Sequence, residues 1–168
     1  WAEKAVRSAI IEADVSTLSI DAISTHGTGT PLNDAMESDM IERVYGDHKP
    51  NIIALKSWIG HLASSCGAVE LGICLSLMKN SYLPEIRNLD SVCNENINFV
   101  RDATSTSINT MLIENFGFES KSNEISFTII SLSSSDKFFL ESRFFIRNYY
   151  YITNYHRNLL RFTLYIRS

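Results

Sequence analysis

Cysteine, proline and long apolar runs are all scarce in this 168-residue chain, which contains 3 Cys and 3 Pro. Cys66, Cys74 and Cys93 are odd in number and lack Cys-x-x-Cys spacing, which argues against a disulfide framework and against a zinc site. The longest apolar runs, such as 71–78, are far shorter than the roughly 20 residues that cross a bilayer. No basic-then-apolar segment opens the chain. We therefore expect no membrane or secretion segment and a reducing compartment.

Charge of either sign is also modest, with 15 Lys and Arg against 19 Asp and Glu, a formal net charge of -4. Such a balance indicates neither a nucleic-acid surface nor an acidic tail. An apolar content of 45% with 20% charged residues is typical of a globular protein. Because the first residue is Trp1 rather than Met, we expect the chain to begin within a longer reading frame or a trimmed one.

Periodicity predicts alternating helices and strands. Apolar residues at helical spacing predict helices over 1–12 and from Pro31 to about Gly46. Short apolar runs at 20–24 and 52–55 predict buried strands, and the stretch 60–79, rich in small residues, predicts a central buried helix. Further strands are predicted at 97–100, 107–113 and 125–132. This alternation predicts a layered α/β domain.

Composition changes near residue 133, where a segment rich in Phe, Tyr, Arg and Lys begins. We therefore divide the chain into a domain over 1–132 and an aromatic, basic tail of unknown structure over 133–168, loosely attached. Basic residues among aromatic ones can bind single-stranded nucleic acid. The tail contains no recognised nucleic-acid module, so we favour an irregular extension instead.

Three groups of residues lie at predicted strand ends or loops, where α/β enzymes gather catalytic groups. His26 follows the first strand and precedes Gly27. Lys56 follows the second strand, and His61 is predicted at the start of the helix after it, where free amides would keep the ring neutral and able to donate. Asn-Phe-Gly-Phe at 115–118 is predicted to follow a strand. Alone, each histidine fits a structural role better, but parallel strands end at one sheet edge, so we expect His26, His61 and Lys56 to share a pocket.

Together the motifs resemble the C-terminal half of the elongating β-ketoacyl-acyl-carrier-protein synthases, and the ketosynthase domains of polyketide and multifunctional fatty acid synthases. They are His-Gly-Thr-Gly-Thr-Pro-Leu at 26–32, Lys-Ser-x-x-Gly-His-Leu at 56–62, Gly-Ala-Val-Glu at 67–70 and Phe-Gly-Phe at 116–118. The resemblance covers about 2–130. It implies the C-terminal half of a thiolase-like fold, layered α-β-α. It also implies decarboxylative Claisen condensation of an acyl group with malonyl-acyl carrier protein, in fatty acid or polyketide biosynthesis.

The resemblance also implies catalytic roles. His26 and His61 match the two histidines that bind the thioester carbonyl as negative charge builds on the enolate, a task for preorganised donors. Lys56 matches the lysine that organises them, and Glu70 matches a buried acid that gives structural support.

Substrate contacts, partners and location are implied in the same way. Thr28 and Thr30 match threonines that hold the pantetheine arm, and Phe118 matches an aromatic gate whose amide helps to bind the oxyanion. No cofactor or metal is expected, because the substrates are carried on the phosphopantetheine of acyl carrier protein. The partners implied are acyl carrier protein, malonyl and acyl thioesters and, at full length, a second copy, but no nucleic acid or membrane. The location implied is the cytoplasm, or a plastid or mitochondrial matrix.

The chain departs from the family at two places. No motif matches the acyl-accepting cysteine of the family, and Cys66 falls within a predicted helix as a core residue. Glu-Ser-Lys at 119–121 replaces a Gly-Gly-Thr whose glycines support an unusual backbone path. We therefore expect this chain alone to be inactive as an acyltransferase. The alternative is a non-catalytic subunit or degenerate remnant that acts as a binding or chain-length partner. A metal site of His26, His48 and His61 fits no helix or hairpin spacing.

Overall fold

The computed structural model describes residues 2–119, 122–131 and 145–151, with side chains for 2–116 and 129–131. The α-helices of this part are α1 (Ala2–Glu12), α2 (Pro31–Tyr45), α3 (Lys56–Ile59) and α4 (Cys66–Asn80). Its strands are β1 (Ala22–Ser24), β2 (Asn51–Ile53), β3 (Tyr82–Leu83), β4 (Asn98–Phe99), β5 (Thr104–Ser105), β6 (Thr110–Glu119), β7 (Ser122–Ser131) and β8 (Phe145–Tyr151). Among the described helices, none has the length and apolar character that a membrane crossing requires.

The main sheet has the strand order β4-β2-β1-β6-β7-β8. β1 lies near its centre and pairs in parallel with β2 and β6, so that Ile23 is opposite both Ile52 and Leu112. β7 pairs antiparallel with β6 and with β8. Parallel neighbours need a crossover connection, which α2 supplies between β1 and β2. The C-terminal ends of β1 and β2 consequently meet at one edge of the sheet.

Apolar side chains cover both faces of the sheet. Ile23, Ile52 and Leu112 belong to a buried cluster with α1 and α2, whereas their neighbours Ala22 and Ile53 belong to a second cluster with α4. Successive strand residues point to opposite faces, which explains how such short strands contribute to both clusters. The predicted layered α/β fold is therefore confirmed.

The helix predicted over 60–79 begins later than expected. Gly60, at φ +73°, ends the short helix α3, and Ala63 also has a positive φ of 49°, so regular α-helix resumes only at Cys66. His61 consequently lies in the connecting loop and not at the start of the helix, which corrects the prediction. Burial of α4 is also narrower than predicted. Within this chain its buried residues form one stripe, namely Cys66, Glu70, Cys74 and Met78.

The third motif, 115–118, lies inside β6 and not in a loop after a strand. β6 and β7 stay paired from Thr110 opposite Ser131 to Glu119 opposite Ser122, so the antiparallel partner carries the strand beyond its predicted end. Ser120 and Lys121, which belong to the predicted departure from the family, lie outside the described residues.

Part of the predicted tail is a strand of the main sheet. Phe145–Tyr151 forms β8 and pairs with β7, with Phe145 opposite Ile129 and Tyr151 opposite Asn123. The other residues of 133–168 lie outside the described part of the chain. The domain boundary near 133 stays a prediction.

Candidate active site

His26 lies directly after β1, in a tight turn that the carboxylate of Glu37 holds in place. Its backbone amide and that of Gly27 donate to the carboxylate of Glu37 on α2, at 2.6 and 3.0 Å. Gly27 has φ +41°, and a Cβ there would lie 2.8 Å from the Cβ of Ala54. Glycine is thus required by the conformation and by the close approach of the strand-β2 loop.

The ring of His26 is buried, with 3% of the residue exposed, and its orientation is fixed. Its Nδ1 accepts the backbone N–H of Phe116 at 3.2 Å, which places the proton of the neutral ring on Nε2. Burial lowers the pKa of His26 to about 4, and the electrostatic effects of Lys56 and then of His61 lower it further. At neutral pH the ring is therefore an uncharged N–H donor.

His61 meets His26 edge to face. Their ring centroids are 5.6 Å apart at an interplanar angle of 89°. The Nδ1 of His61 accepts the backbone N–H of Ala63 at 3.0 Å, so its Nε2 also carries a proton. The amide that orients this ring comes from the short 3-10 turn Ala63–Ser65 and not from α4. The predicted convergence of the two histidines is confirmed as geometry.

Lys56, Glu70 and Asn115 form a buried polar cluster beside the histidines. The Nζ of Lys56 lies 2.5 Å from Oε1 of Glu70, and the exposed fractions of these side chains are 3% and 0%. Asn115 completes the cluster, because its Oδ1 accepts from Lys56 at 3.2 Å while its Nδ2 donates to Glu70 at 3.1 Å. Lys56 and Glu70 were both predicted from the sequence. Asn115 belonged to a quoted motif but was given no role.

A pair of buried acids, Glu37 and Glu114, lies close to His26 and was not predicted. Glu114, immediately before Asn115, is fully buried, and no donor in the described residues reaches either of its carboxyl oxygens. Its carboxyl faces that of Glu37, and burial followed by the charge of Glu37 raises the pKa of Glu114 well above its usual range. Burial also raises the pKa of Glu37. Two ionised carboxylates can only accept, so these two can bond to each other only when one carries a proton.

A cavity of about 750 Å³ opens beside the histidines. Lys56, His61 and Thr28 line it, while His26 lies between the lining residues Thr25 and Gly27. The hydroxyls of Thr28 and Thr30 are 3.1 Å apart at its edge, although Thr30 is not among the lining residues. The backbone of Phe118 lies in β6, but its side chain is outside the described ones.

Cys66 is buried next to His61. Its Sγ accepts the amide of Leu62 at 3.2 Å and lies 3.7 Å from Nδ1 of His61. Because the accepting Nδ1 of His61 is already directed at Ala63, the thiol packs behind the ring, on the side away from Nε2.

His48 does not join the other two histidines. Its Nε2 lies 2.8 Å from the carbonyl oxygen of Ile20, before β1, whereas His26 follows the other end of that strand. Within the described residues no group of three His, Cys, Asp or Glu side chains is arranged to hold a metal ion. His48 therefore does not meet His26 and His61 at a common site.

The fold defines the class: it matches thiolase-like ketosynthases among solved structures. A β-ketoacyl synthase from Burkholderia phymatum superposes with a TM-score of 0.68 at 26% identity, covering 76% of this chain and 31% of that one. A type II PKS acyl-carrier protein in complex with its ketosynthase gives a TM-score of 0.64 at 26% identity, covering 69% and 29%.

Sequence comparison gives the family. Residues 1–90 match the family described as Beta-ketoacyl synthase, C-terminal domain, and the chain belongs to that family. 3-Oxoacyl-[acyl-carrier-protein] synthase 1 of Buchnera aphidicola is 32% identical over 117 residues, which are 68% of this chain and 29% of the relative. The chain thus spans less than a third of the length of that relative.

Proposed function

We propose that this chain supplies the C-terminal half of a β-ketoacyl-acyl-carrier-protein synthase, which condenses an acyl group with malonyl-acyl carrier protein and releases carbon dioxide. The observation that carries the proposal is the histidine pair. Both rings accept a backbone amide at Nδ1, so both present an Nε2–H donor, and their centroids are only 5.6 Å apart.

Paired donors of this kind suit a reaction in which charge develops on one oxygen. When a malonyl thioester loses carbon dioxide, the electron pair of the broken bond moves onto the thioester carbonyl as an enolate. Fixed N–H donors stabilise such an oxyanion, and losing one typically lowers the rate by about 10²-fold to 10³-fold. The lowered pKa of His26 keeps its ring uncharged. The neutral ring has its N–H at Nε2 from the start, so it can donate to the oxyanion throughout the reaction.

Lys56 is proposed to be a positioning residue that acts on His26. Its charge is held by Glu70 and Asn115, and it lowers the pKa of His26. Thr28, beside the histidines in the cavity wall, is proposed with Thr30 to hold the pantetheine arm. The proposal of a carrier-protein substrate is supported by the similar ketosynthase that was solved in complex with its acyl-carrier protein.

The acyl group needs a nucleophile that we do not assign within this chain. Cys66 has the chemistry but packs behind His61, and the other cysteines are Cys74, a buried residue of α4, and Cys93. Burial raises the pKa of the Cys74 thiol to about 12, which leaves almost no thiolate at neutral pH. We therefore propose that the acyl-accepting cysteine comes from the remainder of the enzyme.

The test joins this chain to the part of the Buchnera relative that lies outside the matched region. Acyl and malonyl carrier proteins are supplied, and the ketoacyl product is measured by mass spectrometry. We expect product from the joined enzyme and none from a His26→Ala, His61→Ala double variant. A folded, joined enzyme that binds carrier protein but makes no product would favour the non-catalytic alternative.

A further inference from the structure

Arg87, a cation that forms no ion pair with the described residues, lines the same cavity as His61 and Lys56. The guanidinium carbon of Arg87 lies 3.4 Å from the centre of the Trp58 ring, a stacked cation–π contact. Within the described part of the chain, the ion pairs involve Arg7, Arg43 and Lys56 but not Arg87. Arg87 therefore presents a positive charge to the cavity that no carboxylate of the described residues neutralises.

Arg87 is held against the helix that carries Lys56. Its backbone N–H donates to Oγ of Ser57 at 3.1 Å, and Nε1 of Trp58 donates to the carbonyl of Glu85 at 2.7 Å. Ser57 and Trp58 both belong to α3, which begins at Lys56. These two bonds hold the segment before Arg87 against α3, so the guanidinium keeps a set position relative to the active site.

Stacking determines which part of the guanidinium is available. A guanidinium carbon only 3.4 Å from the centre of the indole lies over its face, and in such a stack the N–H donors at the rim of the planar group stay available. Such a fork matches two oxygens of a phosphate group, and a stacked side chain loses little further freedom on binding. The arrangement is suited to a phosphate and less to a neutral ligand.

We propose that Arg87, stacked on Trp58, binds the phosphate of the pantetheine arm whose thioester end is held at His26 and His61. This inference rests on the proposed function and names a binding residue that its motifs do not include. The volume of about 750 Å³ is within the range of small-molecule pockets, and Thr28, Ser57 and Gly60 line it together with His61 and Arg87. Arg87 thus binds the outer, charged end of a long flexible substrate.

The test compares two ligands that differ by the phosphate alone: 4′-phosphopantetheine and pantetheine. Binding of each to the full chain is measured by calorimetry. A charge-assisted, two-point contact is expected to favour the phosphorylated ligand by about tenfold or more. Arg87→Gln should abolish that preference while leaving the affinity for pantetheine unchanged. Arg87→Lys keeps the charge but not the fork, so it should retain only part of the preference.

Arg101→Gln is the matched control, because Arg101 is exposed but does not line the cavity. The inference is wrong if the unchanged chain binds both ligands equally, if Arg87→Gln keeps the preference, or if Arg101→Gln reduces it as much. In each of those cases binding of pantetheine still supports the proposed function. Binding of neither ligand would count against both.

Discussion

The acid pair close to His26 gives the sharpest prediction about stability. Glu37 holds the amides of His26 and Gly27, and the fully buried Glu114 can bond to it only as a protonated acid. Tyr45, whose pKa is raised by burial and then by Glu114, is a further titratable group facing this site. We predict that the folded chain keeps one proton on the pair at neutral pH, whereas an unfolded chain has released it.

The magnitude follows from proton linkage. A raised folded-state pKa gives stability that is complete below the unfolded value, about 4.3 for Glu, and that is lost as pH rises toward the folded value. One proton that only the folded chain retains lowers the free energy of unfolding by about 1.4 kcal/mol for each unit that the pH rises. Glu114→Gln keeps the shape, supplies an N–H donor to Glu37 and has no proton to lose. The free energy of unfolding of the variant, measured relative to the parent, should therefore increase by about 1.4 kcal/mol with each pH unit.

Urea unfolding followed by circular dichroism at several pH values around neutrality, from about 6.5 to 7.5, measures this difference. The window avoids His26, whose lowered pKa of about 4 gives the opposite slope between that value and 6.5. Glu95→Gln, a change at an exposed site, is the control and should leave the slope unaltered. A difference between Glu114→Gln and the parent that stays constant across the window would refute the shared proton.

Three other predictions concern the site. The ring of His26 should remain neutral at pH 6 in a proton NMR titration, because burial lowers its pKa to about 4; a midpoint near 6.5 would contradict its burial. Lys56→Ala should lower the free energy of unfolding by about 3–5 kcal/mol, since it leaves Glu70 buried and unpaired, and a Lys56→Met, Glu70→Leu double variant should recover most of that loss. The chain alone should form no ketoacyl product by mass spectrometry. Turnover that disappears in Cys66→Ala would identify a nucleophile that we do not expect.

The convergence of His26 and His61 was predictable because it depends on two local signals. Short apolar runs indicate buried strands, and parallel strands deliver the residues that follow them to one edge of a sheet. The loop that presents His61 was not predictable in the same way. Ala63 adopts a positive φ, which alanine takes up only when the surrounding structure compensates for the strain.

The acid pair was hidden for a different reason. Glu37 on α2 and Glu114 on β6 are far apart in the sequence, and glutamate is ordinarily exposed, so neither position indicates burial. Asn115 and the stacking of Arg87 on Trp58 likewise depend on contacts between distant segments. Sequence patterns indicated the elements and the main catalytic candidates, whereas these supporting contacts required the folded chain.

Release of carbon dioxide from malonyl carrier protein tests the central claim most directly, since it isolates the step assigned to the histidine pair. In the joined enzyme, His26→Ala and His61→Ala should each lower the rate constant by about 10²-fold to 10³-fold. His48→Ala, at a histidine that bonds to the carbonyl of Ile20 outside the pair, should leave that rate constant unchanged. Decarboxylation that survives both single substitutions, or that falls equally in His48→Ala, would contradict the account.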